Sequence, residues 1–191
     1  MRGWFGRLIE IVAVTVVVSL SASWASPAAA QTPTPLAHTI DVWAAGSLGF
    51  ADLGEHGGLA GQFALSTAVD QMVITLRAAG VGQYSEQAAD RTYGDFALLV
   101  GMRATHPKIP MPGKFGGTTA SISLGLARLY YNQPPLASSP ERSGVVPAIA
   151  FDADLMAHLP IMGVGVSMFG VAGTNDRYLG AGLTLALGKI H

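Results

Sequence analysis

The stretch that decides the fold is Tyr178 to His191, YLGAGLTLALGKIH. Leu179, Ala181, Leu183, Leu185 and Leu187 share one parity, and Gly180, Gly182, Thr184, Ala186 and Gly188 share the other. A period of two defines a β-strand with two distinct faces. One face is oily throughout, while the other is small and weakly polar, with no charge before Lys189. A strand in water sets its apolar face against Lys, Glu and Thr. Here the pattern suits a strand with lipid on one side and a narrow lumen on the other.

The same alternation recurs upstream. Strands are predicted at about 39–50, 58–66, 71–77, 93–104, 119–131, 145–156 and 161–172, with 178–191 as the eighth. In the first, Ile40, Val42, Leu48 and Phe50 oppose Asp41, Trp43, Ser47 and Gly49. In the fourth, Phe96, Leu98, Val100 and Met102 oppose Asp95, Ala97, Gly101 and Arg103. The connections at 51–57, 82–92, 132–144 and 173–177 are rich in Gly, Pro and polar residues, as are those at 67–70, 105–117 and 157–160. An even strand number with both termini at one end predicts an all-β, eight-stranded antiparallel up-and-down transmembrane β-barrel over 39–191. The first set of connections would be the outer loops and the second the periplasmic turns.

Composition points the same way. Charged residues are 12% of the chain, about half the usual share for a soluble domain, and there are only three Lys. So few charges cannot cover a water-facing barrel. A net charge of −1 offers nothing to nucleic acid. The absence of Cys excludes disulfides and thiolate metal sites. Residues 1–30 have the parts of a signal peptide: Arg2 and Arg7, the apolar run Ile11 to Leu20, and small residues at Ala28 to Ala30. Residues 31–38 form a Pro-rich periplasmic lead-in. No later stretch of 18 apolar residues exists, so membrane crossing falls to strands.

With these features the chain resembles the small outer-membrane β-barrel proteins of Gram-negative bacteria. The resemblance is one of pattern and covers nearly all of 38–191. It implies an outer-membrane location, contact with outer-membrane lipid and lipopolysaccharide, and a last strand read by the barrel assembly machinery. Gly182, Leu185 and Leu187 look like parts of that terminal pattern, although the chain ends Lys189-Ile190-His191 rather than on an aromatic residue.

The inward charges are the candidate site. Arg77 is expected to pair with Asp152 or Asp154, and Arg103 with Asp41, giving a plugged lumen without a water path. Asp152 and Asp154 share one face, but with Arg77 as partner and no accompanying His they suggest neither a metal site nor acid–base catalysis. Phe50, Tyr93, Tyr130, Tyr131 and Tyr178 fall at the outer strand ends and are expected to form an interfacial belt, with Phe115 and Trp43 toward the other interface. Arg128, on the oily parity near the outer rim, is the candidate lipid-headgroup contact. The five His residues are expected in loops and at ends, and Ser121, Ser123 and Ser167 point inward. That leaves no Ser–His pair at the lipid surface such as lipid A-remodelling barrel enzymes use.

The resulting expectation is a monomeric, non-enzymatic barrel without cofactor, structural or interacting through its outer loops. Those loops carry Glu55, Glu86, Asp90, Arg91, Glu141, Arg142 and Arg177. The alternatives are a periplasmic lipocalin-like carrier with its oily face inward, a lipid A-modifying enzyme, or a narrow channel.

Overall fold

A computed structural model of the chain describes residues 39–53, 57–83, 91–107, 117–133, 141–159 and 161–189. The signal segment 1–30, the lead-in, Phe115, Ile190, His191 and the loop acids Glu55, Glu86 and Asp90 lie outside the described residues. Eight strands follow one another: β1 Ile40–Asp52, β2 Gly57–Val69, β3 Met72–Gln83, β4 Thr92–Pro107, β5 Gly117–Gln133, β6 Arg142–His158, β7 Met162–Gly173 and β8 Arg177–Lys189. Each pairs antiparallel with the next, and β8 pairs with β1 to close the barrel. Closure leaves no strand at a free sheet edge. No helix among the described residues is long and apolar enough to cross a membrane.

Both described chain ends lie at one end of the barrel, here the near end, with the Asp70-Gln71 turn. Asp70 takes the left-handed conformation there, at φ 55°. Aspartate tolerates that region because its short side chain bonds locally. Several strands outrun their predicted limits. β3 continues to Gln83 and β6 spans Arg142–His158. The stretch Ala78 to Gly82 lacks large residues, so its period is invisible in the sequence. Pairing with β2 and β4 keeps it extended all the same.

Sidedness is uniform. Leu48, Leu126 and Leu183 stand 79%, 76% and 74% exposed on the outer wall, among Phe63, Leu124 and Ile149. Inside lie Arg77, Arg103, Asp41, Asp95 and Asp152, all buried. The small parity of β8 faces inward as expected, with Gly180, Thr184 and Ala186 buried. At the closing seam Gly49 faces Gly182. A Cβ on Gly49 would run into the Ala181 carbonyl and the Gly182 backbone, so only glycine lets β1 and β8 meet there.

The interior is layered. Toward the far end Leu99, Leu129, Phe169, Val171 and Tyr178 form one apolar cluster. Toward the near end Trp43, Val73, Met156 and Ala186 form another. Between them runs a belt of hydroxyl, amide and carboxylate groups.

Candidate functional site

Arg77 projects from the middle of β3 into the lumen and is fully buried. Its Nη2 donates to both carboxylate oxygens of Asp95, at 2.9 and 3.0 Å. It also reaches across the barrel, Nη1 donating to the Phe151 carbonyl at 2.6 Å and Nη2 to the Gly170 carbonyl at 3.2 Å. The guanidinium stands 5.9 Å from the Phe169 ring centroid, within cation–π range. The Tyr178 hydroxyl donates to the second Asp95 oxygen. One side chain therefore ties β3 to β4, β6 and β7.

The expected pairing of Arg77 with Asp152 or Asp154 is thus corrected: Asp95 takes the guanidinium. The reason is register. Arg77 sits opposite Ala97 on the adjacent β4, so Asp95 is its diagonal neighbour on the inner face, within reach of a long side chain. Asp152 lies three strands away on β6. Asp95 carried a usable signal, since it shares the inner parity of Arg103, but its height relative to Arg77 depends on a register that the connection at 84–91 conceals.

Arg103 and Asp41 do come together, at 2.5 Å near the barrel's near end. The Arg103 Nε–H also donates to the Asp70 carbonyl at 2.9 Å, and its guanidinium lies 5.9 Å from the Trp43 ring. Trp43 is buried inside, not at an interface.

The middle belt holds what remains. Gln62 Nε2 donates to Asp152 and to the Ser47 hydroxyl, each at 3.4 Å. Ser47 bonds Thr184 at 2.7 Å and accepts from Ser167 at 2.9 Å. Ser121 donates to Asp154 at 3.3 Å. No three Asp, Glu, His or Cys side chains converge as a metal cluster among the described residues.

With this geometry in view, the fold can be set beside solved structures. The chain superposes on Neisserial surface protein A with a TM-score of 0.50 at 8% identity, covering 80% of this chain and 99% of that one. It superposes on Ail, the attachment invasion locus protein of Yersinia pestis solved with the heparin analogue sucrose octasulfate, with a TM-score of 0.50 at 9% identity, covering 81% and 100%. The fold is that of the small outer-membrane β-barrels. No family model and no curated protein matches the sequence.

The aromatic belt is smaller than expected. Phe50 and Tyr130 are exposed on the outer wall, but Tyr93 and Tyr178 are buried in the lumen, and Tyr131 packs against the far inner cluster. Height alone suggested the belt, whereas parity decides the side: Tyr93 shares the parity of Asp95, and Tyr178 that of Gly180. Tyr93 instead accepts from Gln133 Nε2 at 2.9 Å, and the same amide reaches Asp176 at 3.0 Å, at the far end of the barrel. Arg128 is exposed on the outer wall between Phe96 and Pro147, two residues from Tyr130.

One alternative loses its footing here. A lipocalin-like carrier needs its oily residues around an inner cavity, and they face out. His158 lies within β6 rather than in a turn, a correction to its expected placement, but its ring is buried on the inner face. Ser121, Ser123 and Ser167 are also inside.

Proposed function

We propose that the chain is a non-enzymatic, monomeric barrel of the Gram-negative outer membrane, with a closed lumen and a structural or surface-interaction role carried by its outer loops. One observation carries this reading: a continuous wall of exposed Leu, Ile, Val and Phe encloses buried ion pairs. Such a wall is stable against acyl chains and insoluble in water. Arg77 and Arg103 support the closed lumen, since each is drawn to a carboxylate and to carbonyls that bridge the interior. In this orientation the near end is periplasmic. Glu141, Arg142 and Arg177, exposed at the far end, then meet lipopolysaccharide or a partner. Arg128 lays its stem along lipid while its guanidinium reaches a headgroup phosphate. The last strand carries the assembly signal.

Two measurements test the reading. Protein from outer-membrane fractions should migrate differently on a gel when boiled and unboiled. Purified barrel in planar bilayers should show no ion-sized conductance. Identical migration would remove the membrane barrel, and steady conductance steps would remove the closed lumen.

A further inference from the structure

On one sector of the wall the strands outrun a neighbour. β5 and β6 stay paired out to Gln133 and Arg142, and β4 follows to Thr92 opposite Asn132. β7 pairs with β6 no farther out than Gly173, opposite Ala148. From Arg142 to Pro147, β6 therefore has β5 on one side and no described strand on the other. An open sheet edge is not tolerated in hydrocarbon, where nothing replaces its missing hydrogen bonds. On this face the acyl layer ends below Pro147, and the residues above it stand among lipid headgroups.

The outward side chains change character at the same height. Leu98, Leu126 and Ile149 form an apolar row across β4, β5 and β6, each more than half exposed. The next row out is Phe96, Arg128 and Pro147, then Gly94, Tyr130 and Val145, then Thr92, Asn132 and Ser143. Successive rows lie roughly 7 Å apart along the strands, which puts Asn132 roughly 14 Å outward of Arg128. Arg128 is exposed and forms no ion pair with any described residue. Above it the wall is hollow: Thr92, Gly94, Tyr130, Asn132, Ser143 and Val145 line a recess of about 380 Å³, opened by the missing side chain of Gly94.

We propose that this recess, with Arg128 at its foot, holds the headgroup of one phosphorylated glycolipid of the outer leaflet. The proposal rests on the outer-membrane reading and on the far end facing out. Arg128 donates two charge-assisted hydrogen bonds to the phosphate at the hydrocarbon boundary, and the acyl chains descend over Leu126. The Tyr130 ring offers a sugar an apolar face, while Thr92, Asn132 and Ser143 bond its hydroxyls. The spacing favours a saccharide. A small glycerophospholipid headgroup stops near the Tyr130 row and leaves Asn132 and Ser143 to water, whereas a saccharide reaches both outer rows.

The test uses the complete mature barrel in detergent, first shown to shift on an unboiled gel, and native mass spectrometry with three probes. These are lipopolysaccharide trimmed to lipid A and core sugars, the same glycolipid stripped of phosphate, and phosphatidylglycerol. The wild-type barrel should retain one copy of the first probe and bind the other two at least about tenfold more weakly. Arg128→Gln should weaken lipopolysaccharide about tenfold, and Asn132→Leu about threefold without changing phosphatidylglycerol. Leu183→Ala, on β8 and away from the recess, should change neither. Undiminished binding by Arg128→Gln would overturn the site, as would phosphatidylglycerol held as tightly as the glycolipid. So would an equal loss in Leu183→Ala, which would make the contact a property of the whole wall. Should Arg128→Gln fail to fold, Asn132→Leu and the stripped glycolipid decide the matter. A chain that never shifts on the gel removes the membrane reading itself, whereas a shifting barrel that keeps no glycolipid removes this site alone.

Discussion

On the outside of the wall large apolar side chains such as Leu48, Leu126 and Leu183 stand open, while on the inside Arg77, Asp41 and Phe169 are sealed from solvent. In a water-soluble barrel the two inventories would be exchanged. The inverted arrangement teaches that the medium around the wall is lipid, and that polar groups pack a core as tightly as apolar ones when each finds a partner. Leu183 and Thr184 make the contrast within one step of chain, the first 74% exposed and the second buried against Ser47.

The comparison can be broken from the inside first. Arg77→Ala leaves Asp95 without its cation and two carbonyls without the guanidinium donor, and should cost about 3–5 kcal/mol, read from urea unfolding in phospholipid vesicles. Replacing both partners, Arg77→Met with Asp95→Leu, should recover part of that loss, because Asp95 is then no longer left buried without its guanidinium. A neutral Arg77→Ala would mean that the pair is not sealed from water.

From the outside, Leu183→Arg at the centre of β8 should cost about 2–4 kcal/mol in the same titration, as arginine does at the bilayer midplane. A barrel with a wet wall would tolerate it. At the seam between the two strand ends, Gly49→Val should cost about 1–3 kcal/mol by overpacking, visible as a lower temperature of the boiled–unboiled gel shift. The smallest effect belongs to the rim. Arg128→Leu should change stability by less than about 1 kcal/mol, since charges near the interface are nearly neutral in energy.

Most of the fold was legible because period-two alternation survives wherever large residues mark one face. Strand number, order and sidedness follow from residues such as Leu183, Leu124 and Phe96. Strand ends were legible only where bulky residues reach them: Ala78 to Gly82 hides the far half of β3 behind small side chains. The candidate site was half legible. Arg103 and Asp41 meet because both lie low on the inner face, a matter of height and parity that the sequence carries. Asp95 was lost as the partner of Arg77 because hydrogen-bond register across a long connection leaves no trace in composition. Tyr93 and Tyr178 were misplaced for a simpler reason: aromatic rings at strand ends suggest an interface, yet their parity already put them inside.

The most direct measurement is an accessibility scan through β8. The chain has no cysteine, so single cysteines at positions 182 to 186 can each carry a nitroxide label without background. In reconstituted vesicles, labels at 183 and 185 should collide freely with oxygen dissolved in the bilayer, and those at 182, 184 and 186 should be shielded. A pattern of the opposite phase, or labels at 183 and 185 that instead meet a water-soluble nickel reagent, would contradict a lipid-facing wall.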